Sequence, residues 1–405
     1  NIEDSTVGSG PGGSSSATGW GLVMATSKVG TLVVEAQIDG QRLDTFNAET
    51  IMLRYRDTLY GPAIYRLQVR SGQWDVWDRL VTRGADLDFR LRWTIYGAEG
   101  ATPGPWKHVR VGRVRYRYIA TSVDVLIDGT CQGGLLGERC HANAFVDQSV
   151  SQMVQRIAAQ NGFRSQVAGT RGKFTEYQCD MPDGQFIRNR LLPLAVDKGG
   201  VGGFCFWVAD GRTLVFEPIR DVPIDLGPFS FFPPPGQPAK NLMHGLSVRY
   251  DPILDPHRQV GALEVWGMDP WRAQEIHWTA NDKTVRYPKL APQSPKPPGG
   301  PTRIAALTRP EPGETGFETL RTEASGRWSE RHRSMFRTCL QLPAQLTPLP
   351  GRTVCLNVFD PGGKKHFSSG LWLVYATEVY TAVKKRVDEG RESEVRLYLE
   401  RRNFS

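Results

Sequence analysis

The stretch "TEYQCDMPDGQFIRNRL", residues 175–191, reads as the end of a strand, a proline-bearing turn and the start of a helix. Asp180 stands where an N-cap oxygen accepts from the first helical amides, and Pro182 falls in the first turn, where its missing donor costs nothing. Asp183 adds negative charge at the positive end of the helix dipole. Phe186, Ile187, Leu191 and Leu194 supply the buried side, Arg190 falls between them, and Pro193 kinks or ends the helix. Two aspartates beside Cys179, Arg188 and Arg190 also have the residue types of a small catalytic constellation. A glycosidase-like pair needs one carboxylate kept protonated beside a substrate cleft. Both aspartates instead lie beside amide donors, which favour ionisation. The stretch is expected to be a packing module.

Its flanks extend the module. Upstream, "SVSQMVQRIAAQNG" places Val150, Met153, Val154, Ile157 and Ala158 on one helical stripe. Ser149 and Gln152 have capping-box spacing, and Gly162 is placed to end the helix in a left-handed turn. Downstream, "GGFCFWVADGRTLVFEP" is two apolar strands joined by Asp-Gly, a strong hairpin signal. Residues 147–240 therefore read as an α+β insert of helix, strand, helix and hairpin.

On both sides the period changes to two. "DLDFRLRWTIY" alternates Leu87, Phe89, Leu91, Trp93 and Ile95 with polar and charged residues. "VRVGRVRYRYI" sets Val114, Tyr116 and Tyr118 against Arg113, Arg115 and Arg117. Residues 29–146 read as a first antiparallel β domain, sandwich or barrel, after a flexible Gly/Ser-rich arm over 1–28. "FFPPPGQP" leads to a second β domain over 241–405, interrupted at 286–316 by a Pro/Gly-rich stretch expected to be an extended loop. Near the end, Val395, Leu397 and Leu399 alternate with Arg396, Tyr398 and Glu400. The expected fold class is mainly β with an α+β insert, two β domains flanking a small helix/hairpin domain.

Bulk composition narrows the function. Fifty Lys+Arg against 42 Asp+Glu leave +8, a mild excess without lysine runs. No stretch approaches the ~18 apolar residues of a membrane span. The six cysteines form no Cys-x-x-Cys, which argues against a zinc ribbon or redox pair, although Cys131 and Cys140 are close enough for a local disulfide. The histidines show no metal-binding spacing, and no phosphate loop, dinucleotide fingerprint or nucleophile elbow occurs. No catalytic residue, metal or cofactor is expected.

The order and wording of these elements resemble the baseplate hub proteins of phage tails and related contractile injection machines, including the N-terminal half of type VI secretion spike proteins. The resemblance rests on "SQMVQRIAAQNGF", "EYQCDMPDGQFIRNRLLPLA", "FCFWVADGRTLVFEP" and the C-terminal "GLWLVYATEVYTAV" and "SEVRLYLERR". The family signature at the second of these is met by Tyr177, Gln178, Asp183, Phe186, Ile187, Arg190 and Leu191, with a departure at Gln185, where the family commonly has Asp or Asn. The resemblance implies that both β domains are tube-like barrels. It implies a homotrimer whose six barrels adapt a six-fold tail tube to a three-fold central spike. The spike's oligonucleotide-fold and β-helix parts have no counterpart in these residues, which points to a separate spike protein. Other implied partners are the tape-measure protein, further baseplate proteins and DNA in transit. The implied setting is the virion tail, assembled in the bacterial host cytoplasm.

The arginines have three readings. Arg90, Arg92, Arg113, Arg115 and Arg117 stand on a solvated strand face, on an intersubunit face where guanidinium forks meet carboxylates, or along a channel that DNA passes. Passage demands weak contact, which counts against the channel. Two competing functions remain: a basic barrel protein that stacks nucleic-acid bases on Tyr96, Tyr116 and Tyr118, and a tail-associated cell-wall hydrolase, which lacks a carboxylate constellation.

Overall fold

The computed structural model describes residues 31–43, 48–73, 77, 82, 87–97, 100–199, 203–219, 228–230, 245–250, 262–269, 272–281, 284, 302–305, 316–333, 336–343, 349–357, 369–383 and 391–401. The N-terminal arm, the "FFPPPGQP" linker and most of 286–316 lie outside these residues.

The first β region runs β1 (Thr31–Ile38), β2 (Gln41–Arg42), β3 (Ala48–Thr58), β4 (Ile64–Ser71), β5 (Phe89–Gly97), β6 (Gly100–Pro103), β7 (Lys107–Ile119) and β8 (Ser122–Cys131). A short α1 (Leu135–Glu138) leads into the insert. There follow β9 (Asn143–Gln148), α2 (Val150–Gln160), β10 (Arg164–Val167), β11 (Phe174–Gln178), α3 (Asp183–Phe186), β12 (Phe204–Ala209) and β13 (Thr213–Pro218). Next come β14 (Pro228–Ser230), β15 (Gly245–Tyr250), β16 (Leu263–Asp269), β17 (Gln274–Ala280) and β18 (Thr302–Ala305). The chain closes with α4 (Gly316–Arg333), β19 (Phe336–Pro343), β20 (Thr353–Asn357), β21 (Gly370–Val383) and β22 (Arg391–Arg401). The fold is mainly β and largely antiparallel, with a helix/hairpin insert between two β regions.

Alternation explains the strands. Along β4, Tyr65, Leu67 and Val69 are buried while Arg66 and Arg70 are exposed. Phe89, Leu91 and Trp93 of β5 and Val395, Leu397 and Leu399 of β22 face inward in the same way. Helix α2 carries the full capping box: the Gln152 amide donates to Ser149 Oγ at 3.3 Å and the Ser149 amide to Gln152 Oε1 at 2.9 Å. Gly162 then takes φ +73, and Val150, Met153, Val154, Ile157 and Ala158 are buried. In the hairpin of β12 and β13, Asp210 and Gly211 both have positive φ, and the Arg212 amide closes the turn onto the Ala209 carbonyl at 3.2 Å.

The two β regions share one sheet. Among the described residues it has 14 strands, with a main path β15-β19-β22-β21-β3-β4-β8-β7-β5-β1-β2. The join is β21 against β3, antiparallel, from Ala376 opposite Thr58 to Ala382 opposite Met52. At the far end the Leu32 amide of β1 donates to Ser393 Oγ of β22 at 3.2 Å, so the first region also touches the second there. One apolar core runs through all three parts. It holds Leu53 and Val125 of the first region, Phe145 and Met153 of the insert, and Trp372 and Val379 of the second region.

Two features depart from the expected layout of the second region. Thr302–Ala305, inside the stretch expected to be a loop, is a strand lying parallel to β16. Residues 316–333 form a helix, which packs Leu320, Ala324 and Trp328 on Leu263, Val265 and Ala280 of the β17-β16-β18 sheet. Its inward side also carries buried Glu323, and those polar and small residues break the apolar stripe that would have announced it.

Candidate functional site

The insert's centre is built on β9, β11, α2 and α3. In β11 the inward positions are Phe174, Glu176 and Gln178, while Tyr177 is exposed. Two of three inward side chains are polar, so each needs a partner inside the fold. Asp180 then turns the chain with φ +50, a conformation Asp tolerates better than most residues. The N-cap position of α3 is Pro182, without a side-chain cap, so Asp180 does not cap this helix as the sequence predicts. After one turn, Ile187–Leu191 widens into a π-helical turn and Leu192–Leu194, with Pro193, tightens into a 3-10 turn. Phe186, Ile187 and Leu191 are buried, and Phe186 stacks on Phe145 at 5.8 Å.

Asp183 does sit in the first turn of α3, but it is fully buried. Its carboxylate accepts from Asn161 Nδ2 at 2.6 Å, Gln178 Nε2 at 2.7 Å and the His141 amide at 3.3 Å. His141 Nδ1 lies 2.7 Å from Oδ2, the oxygen that also accepts from Asn161. Asn143 extends the network, donating to Gln178 Oε1 and to Gln160 Oε1, both at 3.0 Å. Asp183 thus ties α2, β11 and the approach to β9 together, a larger task than complementing a helix dipole. His141, Asn143 and Asn161 carry this seam unannounced by any motif, and Gln178, named only as part of the resemblance, joins them. The available signal was Gln178 at an inward position of an alternating strand.

A second buried carboxylate lies beside the first network. Glu176 Oε2 accepts from Arg190 Nη2 at 2.8 Å and Nε at 3.1 Å. Burial raises the Glu176 carboxyl above its ordinary range; Arg190 opposes the shift and Glu323 of α4 adds to it.

These groups are tied to one another and to the surrounding backbone. Asp180 is exposed and Asp183 is buried among donors, so the two are not a carboxylate pair across a cleft. Cys140 Sγ donates to the Met181 carbonyl at 3.2 Å while His141 turns to Asp183, so this Cys-His neighbour pair is not a dyad. All six cysteines are free, including Cys131 and Cys140. Burial pushes the Cys131 thiol up to about 11, which keeps it protonated and inert. Among the described residues no group of three or more His, Cys, Asp and Glu is placed to hold a metal, and no helix is long and apolar enough to cross a membrane.

The five arginines separate into two places. Arg90 pairs with Asp88, and Arg92 bonds Glu35 at 2.7 Å with its guanidinium 4.4 Å from the Trp106 ring. Arg113, Arg115 and Arg117 stand exposed on the second half of β7, opposite Asp128, Leu126 and Asp124 of β8. Arg115 Nη2 bonds Asp128 at 3.0 Å.

The sequence matches no family model and no curated protein sequence. The fold does match solved structures. The tail protein from Neisseria meningitidis MC58 superposes with a TM-score of 0.59 at 10% identity, covering 91% of this chain and 96% of that one. The 43 kDa tail protein of prophage MuSo2 from Shewanella oneidensis gives 0.55 at 11% identity, covering 92% and 98%. The E. coli c3393 protein, a component of the type VI secretion system with structural similarity to the T4 tail proteins gp27 and gp5, gives 0.51 at 11% identity, covering 90% and 76%. The chain has the fold of these tail and secretion-system proteins. That fold extends over almost the whole length of two of them.

Proposed function

We propose that this chain is a structural subunit of a phage tail hub, without catalytic activity, working as a homotrimer in the virion baseplate. The observation that carries the proposal is the join of β3 to β21 within a chain whose fold covers whole tail proteins. It gives one subunit a broad arc of sheet built from two β regions, and three such arcs supply the six β regions that a six-fold tube requires. A closed ring also covers exposed strand edges, and among the described residues the main path of the large sheet ends at β15 and β2. The partners are the tail tube protein on one side and a central spike protein on the other, with the tape-measure and further baseplate proteins adjoining.

Light scattering on the purified chain, alone and mixed with its tail tube and spike proteins, tests this. The expected outcome is a mass three times the subunit's, alone or on mixing. A chain that stays monomeric and binds neither protein overturns the proposal.

A further inference from the structure

The fold gives the arginines of β7 neighbours that the sequence hides. Side chains directly opposite each other in an antiparallel sheet share a face. Across β7, β8, β4 and β3 the registers set Arg113 opposite Asp128, Asp128 opposite Arg66, and Arg66 opposite Arg54. Two rows along, past Arg115, Leu126 and Gln68, Arg117 stands opposite Asp124 and Asp124 opposite Arg70. Past the join, Arg56 faces Glu378, which faces Arg396 of β22. Arginines from both β regions therefore lie on one side of one sheet, the side turned away from Leu53, Leu67 and Ile127 of the core.

The carboxylates on this side are sunk beneath the guanidinium groups. The Glu378 side chain is 0% exposed and that of Asp124 8%, while their partners Arg54 and Arg70 are 49% and 47% exposed. Asp128 is gripped from both flanks by Arg66 and Arg115, which are 50% and 51% exposed. Other guanidinium groups lie over rings: Arg56 sits 4.2 Å from the Tyr398 centroid, and Arg396 covers Tyr380. Solvent thus meets mostly positive charge; the exposed carboxylates on this side are Glu49, which stands opposite Arg70, and Glu392 near the end of β22. Among the described residues Arg113 and Arg117 are exposed and have no carboxylate within ion-pair distance.

We infer that this face binds the phosphate backbone of double-stranded DNA, independently of sequence. A protein partner would need an apolar centre to desolvate, and Ile64 is the only large apolar side chain of this face exposed among the described residues. Base stacking would need bare aromatic rings, and Tyr398 and Tyr380 are covered. What the face offers is guanidinium groups on β7, β4, β3 and β22, with the carboxylates of β8 and β21 between them, on strands about 4.8 Å apart and with same-face positions about 6.8 Å apart along each strand. The six strands from β22 to β7 span about 24 Å, over which a duplex carries a phosphate charge about every 1.7 Å. Arginine suits this task, since its planar fork bonds two phosphate oxygens at once. The inference does not require that the chain be a hub.

Fluorescence anisotropy of a random-sequence 30-base-pair duplex, titrated with the full chain between 50 and 200 mM salt, tests it. Binding is expected, with log K falling against log salt at a slope of about −4 or steeper. The double variant R113S/R117S is expected to flatten that slope by about 2. R164S, an exposed arginine of the insert, is expected to leave it within about 1. Circular dichroism confirms that the variants stay folded. No binding at 50 mM salt, equal effects of the double variant and R164S, or tighter binding of polyglutamate than of DNA each overturns the inference; the last outcome would instead identify an acidic protein as the occupant.

Discussion

A Cβ added to Gly326 would stand 1.6 Å from the carbonyl oxygen of Pro193. Helix α4 therefore meets the 3-10 turn after α3 backbone to backbone, and only glycine permits that approach. The contact docks the β16–β18 unit onto the insert.

Gly326→Ala should cost about 1–3 kcal/mol or more, because backbone, not a flexible side chain, occupies the space. Gly137→Ala, in α1 with nothing within 4 Å, should be neutral or mildly stabilising. Urea unfolding midpoints compare the two. Equal losses would mean that α4 does not rest on Pro193.

Asp183→Ala should destabilise by about 3 kcal/mol, since it strands the donors of Asn161, Gln178 and the His141 amide in the interior. Asp180→Gly should stay within about 1 kcal/mol of the parent, because glycine adopts a positive φ freely. Asp180→Asn should also cost little, for the same conformational reason and not through capping. Denaturation of the purified variants ranks them; Asp180→Gly costing more than Asp183→Ala would refute the assignment.

Val379→Asp buries an unpaired charge opposite Tyr55 at the join of β21 and β3. It should cost several kcal/mol and loosen both β regions at once. Hydrogen exchange would show lost protection in β4 and β8 as well as in β22. Native protection confined to β4 and β8 would mean that the regions fold independently.

Glu176 gives a pH signature. Its folded carboxyl titrates above the ordinary 4.5, first because of burial. Between those two values the folded chain holds a proton that the unfolded chain has released, so stability falls as pH rises through that window. The contribution is full below pH 4.5 and gone above the raised value. Asp88 and Asp128 act oppositely: Arg90 lowers the first, and Arg66 with Arg115 lowers the second against burial, so their contributions are lost as pH falls below 3.8. Glu176→Gln should remove the first slope and leave the second, as read from unfolding free energies across pH 3–7. An unchanged upper slope would show that Glu176 is not its source.

The strands and α2 were legible because their signals are local. Leu87, Phe89, Leu91 and Trp93 alternate within one stretch, and Ser149 caps a helix with a residue three positions away. Helix α4 was not, since Glu323, paired with Arg327 one turn along, and Gly326 interrupt its apolar stripe, and the reason for Gly326, the close approach of Pro193, becomes visible only after folding. Asp183 was placed in the right turn for an incomplete reason: its sequence neighbours offered helix amides, while the fold brought it Asn161 and His141.

The sequence by itself determined most of the strands, where the helix/hairpin insert lies between them, and which face of the alternating strands is apolar, because side-chain periodicity needs no knowledge of partners. Tertiary structure decided that β3 pairs with β21, that Asp183 is buried in a polar seam, and that arginines from both β regions share one face. Those outcomes depend on which strand edges meet and in what register. An alternating strand carries the same inside and outside whichever neighbour it takes.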